Sequence, residues 1–188
     1  MTRLFFAVKV RQNNAFSELY DELLSFGKNI RPVRSDIMHL TLKFIGESPC
    51  PVRDIEDAPI GLLKDQVPFE LGVKEVGAFP NWKRPYVLWL GLESSGKLRK
   101  LAMDLDISLN QKCGIQRERR DFRAHITVGR VKENVDPLAL KVSMERCLEK
   151  LIKSEYSTPI RKIHLMNSNL TPDGPIYKVI KEYELAQE

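Results

Sequence analysis

A four-residue pattern, histidine–apolar–threonine–apolar, occurs twice in this chain, as His39-Leu40-Thr41-Leu42 and as His125-Ile126-Thr127-Val128. Each copy sits at the same place in a repeated order of elements. An apolar strand begins near residue 3 and again near 86. The helix after it opens its apolar face at Phe16 and again at Leu98, and the histidines follow at 39 and 125. The offsets are about 83, 82 and 86 residues, and a period held over successive elements marks an internal duplication. Two β-α-β-α-β copies are predicted, over about 3–80 and 86–168 with a closing strand at 175–185, and two such lobes can enclose a cleft. The chain 1–188 then forms one bilobed domain.

The elements follow from periodicity. Residues 3–10 (RLFFAVKV) read as a short buried strand. Asn13 or Asn14 caps a helix whose apolar face is Phe16, Leu19, Tyr20, Leu23 and Leu24, ending between Gly27 and Ile30. Strands are expected at 37–45 and 67–79, with a short helix between them ending near Lys64, and a turn at 82–85. The second half repeats this: a strand at 86–92, a helix capped by Ser94 or Ser95 with Leu98, Leu101, Ala102, Leu105 and Leu109 inward, and a strand at 123–131. Asp136-Pro137 starts a helix running to about Lys153. Strands at 157–166 and 176–185 flank the turn Thr171-Pro172-Asp173-Gly174-Pro175.

Composition narrows the classes. With 43% hydrophobic and 29% charged residues the chain can bury a core and is not disordered. No run approaches the roughly 20 apolar residues a bilayer span needs, so no membrane is expected. The opening MTRLFFAVKVRQ has a short apolar stretch broken by Lys9 and no small-residue cleavage site; a cytoplasmic monomer is the expected state. Cys50, Cys113 and Cys147 are scattered, in no metal-binding spacing, and read as reduced apolar fillers. The net charge of +5 is a mild invitation to anions.

Alternation along a strand sets His39 and Thr41 on one face and Leu40 and Leu42 on the other, and likewise His125 and Thr127 against Ile126 and Val128. If the two polar faces meet across the cleft, they gather two imidazoles and two hydroxyls around one ligand. Histidine titrates near 6.5, so one ring can accept a proton while the other donates one. That pair suits in-line displacement at phosphorus, with threonine hydroxyls donating to the non-bridging oxygens. Acid and base then both come from protein, and neither a metal nor a cofactor is expected; there is no glycine-rich phosphate loop. Symmetry alone does not say which histidine is the acid.

HLTLKFIG at 39–46 and HITVGR at 125–130 resemble the two-histidine phosphoesterases, most closely the RNA 2′,3′-cyclic phosphodiesterases, also described as 2′-5′ RNA ligases. The likeness extends to RLFFAV at the start, GAFPN at 77–81 and SNLTPDGPIYKVIKEYEL at 168–185. The resemblance implies a bilobed α+β enzyme, with two mainly antiparallel sheets facing a central cleft and helices on the outer faces, that opens an RNA terminal 2′,3′-cyclic phosphate to a 2′-phosphomonoester. His39 is then the proton donor and His125 the acceptor, with Thr41 and Thr127 on phosphate oxygens. RNA 3′ ends, and nucleotides, are the implied partners. Ligation by a 5′-hydroxyl in the same site, and a non-catalytic RNA- or nucleotide-binding module, are the alternatives.

Arg130 suits phosphate by its fork of donors, yet strict alternation puts it opposite His125. Only a bulge, a strand end at Gly129 or its own length brings it into the cleft. Lys43 shares parity with His39 and Thr41, which makes it a cleft-rim residue or an exposed strand lysine, while Phe44 points to the core. His164 reads as structural. The run Gln116 to Asp121, with Arg123 beyond, is a solvated loop or an RNA-backbone contact. Among Phe5, Phe79, Trp82 and Trp89, core packing is expected of all but Trp82, which is left to stack on a base.

Overall fold

The computed structural model describes residues 3–64, 66–93, 96–133, 135–171 and 174–186. Strands β1 (Arg3–Lys9), β2 (Ile30–Pro32), β3 (His39–Gly46), β4 (Phe69–Asn81), β5 (Arg84–Leu92), β6 (His125–Val131), β7 (Ser157–Ile160), β8 (Lys162–Thr171) and β9 (Gly174–Glu184) alternate with helices α1 (Asn14–Leu24), α2 (Val52–Asp57), α3 (Ile60–Leu63), α4 (Lys97–Cys113) and α5 (Pro137–Lys153). The strands pair in the order β7-β4-β5-β6-β3-β1-β8-β9, with β2 on β6. Every pairing is antiparallel. This is the α+β class. The strands form one nine-stranded sheet rather than the two sheets facing a cleft that were expected, and β3 meets β6 at one backbone pair, Leu40 opposite Ile126.

Local chemistry explains the boundaries. The Asn13 side chain accepts from the Phe16 N–H and starts α1, and Asp136 accepts from the Leu138 N–H ahead of Pro137 to start α5. Gly114, at φ +64°, closes α4 in the left-handed conformation that glycine adopts without strain. Ser94 and Ser95 lie outside the described residues, and the N-cap position of α4 is Gly96. The strand expected at 157–166 is two, because pairing passes from β4 to β1 and β9 around Arg161. Sequence periodicity misses β2, three residues held by β6. Pro172 and Asp173 of the expected final turn lie outside the described residues.

One face of the sheet carries the helices. Phe16, Leu19 and Leu23 of α1 are buried, while Leu24, expected on that face, is 47% exposed. All five expected apolar positions of α4 are buried. The helices cross over: α1 and α5 pack on the β2-β4-β5 half, and α4 lies over β3. Leu40, Ile126 and Val128 fill the core beneath them, each fully buried. A second, smaller apolar cluster, Phe5, Ala7 and Met166 with Tyr177 and Val179, sits apart from that core. Among the described residues no helix is long and apolar enough to cross a membrane.

Candidate active site

The antiparallel pair Leu40–Ile126 decides what the helix-free face presents. With both apolar side chains turned into the core, His39, Thr41, His125 and Thr127 all turn the other way. The register then sets His39 toward Thr127 and Thr41 toward His125. His39, Thr41, Thr127 and Arg130 form the floor of a cleft of about 470 Å³. Segment 31–37 makes one wall and segment 174–177 the other. His125 is not among the residues that line that volume.

Both imidazoles are held in the same way. His39 Nδ1 lies 2.8 Å from the carbonyl of Ile37, and His125 Nδ1 lies 2.8 Å from the carbonyl of Arg123. A carbonyl only accepts, so each Nδ1 carries the hydrogen and each Nε2 is left to exchange a proton. Aromatic rings brace each imidazole. Phe5 and Tyr177 flank His39 at centroid distances of 5.1 and 5.0 Å, and Phe79 and Trp89 flank His125 at 5.3 and 6.0 Å. Burial among these groups lowers the His39 pKa below its ordinary value; the Ile37 carbonyl opposes the shift, and the charge of His125 adds to it.

Bulges correct the sequence expectations beyond the motifs. In β3 the register steps from Ala7–Thr41 to Phe6–Lys43, so Leu42 is the extra residue. In β6 it steps from Trp89–Thr127 to Leu88–Gly129, so Val128 is. Parity inverts after each step. Arg130 therefore turns into the cleft. Lys43 does the reverse: it is 2% exposed, on the core side, with Nζ 2.7 Å from Asp106 Oδ1 and donating to the Gln116 carbonyl. Phe44, expected in the core, is 52% exposed and lines the cleft.

Trp82, expected to stack on a base, packs against the core. Phe5 and Trp89 are buried as expected, and together with Phe79 they brace the imidazoles. His164 is buried on β8, with Nε2 3.4 Å from Glu182 Oε1. In the 116–121 loop, the Asp106 carboxylate takes Arg117 Nε and the Glu118 N–H, each at 3.2 Å, so part of that run is structural. Arg123 lies over the Trp89 ring at 5.3 Å. The sequence reading missed Arg31 and Tyr177 as lining residues; their one signal is position, Arg31 on a three-residue strand and Tyr177 after a Gly-Pro turn.

Comparison with known proteins bears on the family and the fold. An RNA 2′,3′-cyclic phosphodiesterase of Archaeoglobus fulgidus is 32% identical over 97% of this chain and 99% of its own. A crystal structure of a Thermus thermophilus protein superposes with a TM-score of 0.79 at 25% identity, covering 99% of both chains. Escherichia coli LigT, solved with 3′-AMP, shares the fold with a TM-score of 0.67 at 24% identity over 99% of both chains. The family model described as the 2′-5′ RNA ligase superfamily matches residues 27–171, and this chain belongs to that superfamily.

Proposed function

We propose that this protein hydrolyses the 2′,3′-cyclic phosphate at an RNA 3′ end to a 2′-phosphomonoester, by metal-independent general acid–base catalysis between His39 and His125. Relatives about 30% identical over nearly the whole chain are named for this kind of activity. The observation that carries the mechanism is the matched 2.8 Å bond from each Nδ1 to a carbonyl two residues back, which leaves both Nε2 atoms for proton transfer.

In the forward reaction His125 Nε2 takes a proton from water as the water oxygen bonds to phosphorus. The bond from phosphorus to the ribose 3′ oxygen breaks in line, and that oxygen takes the proton from His39 Nε2. Thr41 and Thr127 hydroxyls and the Arg130 guanidinium hold the non-bridging oxygens while charge builds on them. His39 must be protonated to begin. Burial works against that in the empty site, and the bound phosphate anion, replacing solvent beside the ring, favours the charged form.

The test is an oligoribonucleotide ending in a 2′,3′-cyclic phosphate, incubated with and without EDTA and analysed by mass and by phosphate position. Turnover retained in chelator, with a 2′-phosphate product, is expected. His39→Ala and His125→Ala each lower kcat by about 10²–10⁴ while product binding changes little. Near-normal turnover by either variant would rule out the assignment. The superfamily's description favours a second reading: a 5′-hydroxyl replaces water and the same displacement yields a 2′-5′ linkage, detectable as a joined strand when a 5′-hydroxyl acceptor is supplied.

A further inference from the structure

At one end of the cleft two arginines stand side by side. Arg31 of β2 is paired across the ladder with Arg130 of β6; both are exposed and both line the cleft. Like charges directly opposite on neighbouring strands destabilise the pair. Among the described residues neither arginine has a carboxylate within ion-pair distance, whereas Arg34, three residues on, is neutralised by both oxygens of Asp36. Two adjacent cations in a cleft, without a carboxylate partner among the described residues, suit an anionic ligand.

The two guanidinium groups point at different places. Arg130 shares the cleft lining with Thr127, His39 and Tyr177, the residue whose ring lies 5.0 Å from His39. Arg31 reaches Gly174: its Nη2 is 2.5 Å from where a Cβ on that residue would stand, and its Nη1 is 3.5 Å from it. Any side chain at 174 would displace the guanidinium, and φ of +122° there independently favours glycine. Along β9, Gly174 and Tyr177 are about 10 Å apart at roughly 3.4 Å per residue. Arg130 therefore serves an anion beside His39, and Arg31 serves a second one farther along the same wall.

Resting on the activity proposed above, we infer that Arg31 binds the phosphodiester on the 5′ side of the reacting nucleotide, so that the site selects an oligonucleotide end over a mononucleoside cyclic phosphate. A mononucleotide has no group for this position. Arg31 is thus a specificity residue, remote from the proton transfers.

Arg31→Ala is compared with the unmodified protein on adenosine 2′,3′-cyclic phosphate and on a short oligoribonucleotide with the same terminus. The loss in kcat/KM on the oligonucleotide should exceed that on the mononucleoside by at least about tenfold, the effect of a charge-assisted contact. A parallel arm follows binding of a 2′-phosphate-terminated oligoribonucleotide by fluorescence anisotropy across a salt series. Losing one phosphate contact should shrink the slope of log K against log salt by about 0.7. Equal losses on both substrates, or an unchanged salt slope, would overturn the inference. If the unmodified protein hydrolyses neither substrate, the proposed activity fails, and the binding arm alone decides the role of Arg31.

Discussion

Leu40 and Ile126 face each other across the one backbone pair that joins the motif strands, and both are fully buried. That pair aligns His39 with Thr127 and Thr41 with His125, so packing and site geometry share one cause. Ile126→Ala or Leu40→Ala should cost about 2–5 kcal/mol, the usual range for a large-to-small change in a dense core. Each should also lower kcat of the folded protein, because the facing strands can shift into the cavity. Leu151→Ala, equally buried on α5, should lose similar stability in urea denaturation and keep its kcat. Parallel kcat losses in all three variants would show that the joint has no special role.

The sequence carried most of this site and for an identifiable reason. Parity along a strand is a local property, so the faces of His39, Thr41, His125 and Thr127 were legible from four-residue windows. The bulges at Leu42 and Val128 were not, since a bulge is a relation between two strands. Their consequence is large: Arg130 enters the cleft, and Lys43 and Phe44 exchange surroundings. The single pair that joins β3 to β6 in one continuous sheet and the three-residue strand β2 were hidden likewise, being fixed by partners distant in the chain.

Lys43 and Asp106 form a buried ion pair that ties β3 to α4 and to the loop ahead of β6, with Glu118 3.7 Å from the ammonium. Asp106 has its pKa lowered: burial opposes the shift, but hydrogen bonds from Lys43, the Glu118 N–H and Arg117 outweigh it. Asp106→Ala leaves the Lys43 ammonium with only an exposed carboxylate nearby and should cost about 3–5 kcal/mol. Replacing both residues together, as Lys43→Met with Asp106→Leu, should recover much of that loss, because no uncompensated charge remains. Chemical denaturation of the two variants checks this; a double variant as unstable as Asp106→Ala would contradict it.

Gly77 supports His125 at one remove. A Cβ there would lie 1.9 Å from Cζ2 of Trp89, so the indole occupies the space a side chain would need. Trp89 in turn lies against His125 and Phe79. Gly77→Ala must push the ring away, loosening the brace on His125 without touching the imidazole. The expected result is a kcat reduced several-fold with KM little changed, a shift in tryptophan emission, and a stability loss of about 1–3 kcal/mol from overpacking. Normal kcat with displaced emission would mean that the brace on His125 is dispensable.

Two histidines make the protein sensitive to acid. Burial is the leading cause of the lowered pKa of both His39 and His164; Lys9 and Lys162 push His164 further down, and Glu182 and the Ala7 backbone oppose them. In the unfolded chain histidine titrates near 6.5, so between that value and the lower folded one the unfolded state binds more protons. Stability is therefore fully present above about pH 6.5 and is lost as pH falls through the folded values. His164→Gln, outside the cleft, should flatten this dependence in denaturation curves between neutral and mildly acid pH; an unchanged slope would mean that His164 is not depressed. The same shift at His39 bears on catalysis. A proton donor must be charged in the free enzyme that kcat/KM reports, so kcat/KM should fall as pH rises through a value below 6.5. The corresponding limb of kcat should lie at higher pH, because bound phosphate favours the imidazolium. A kcat/KM that instead rises through that low value would exchange the two roles, making His39 the acceptor and His125 the donor.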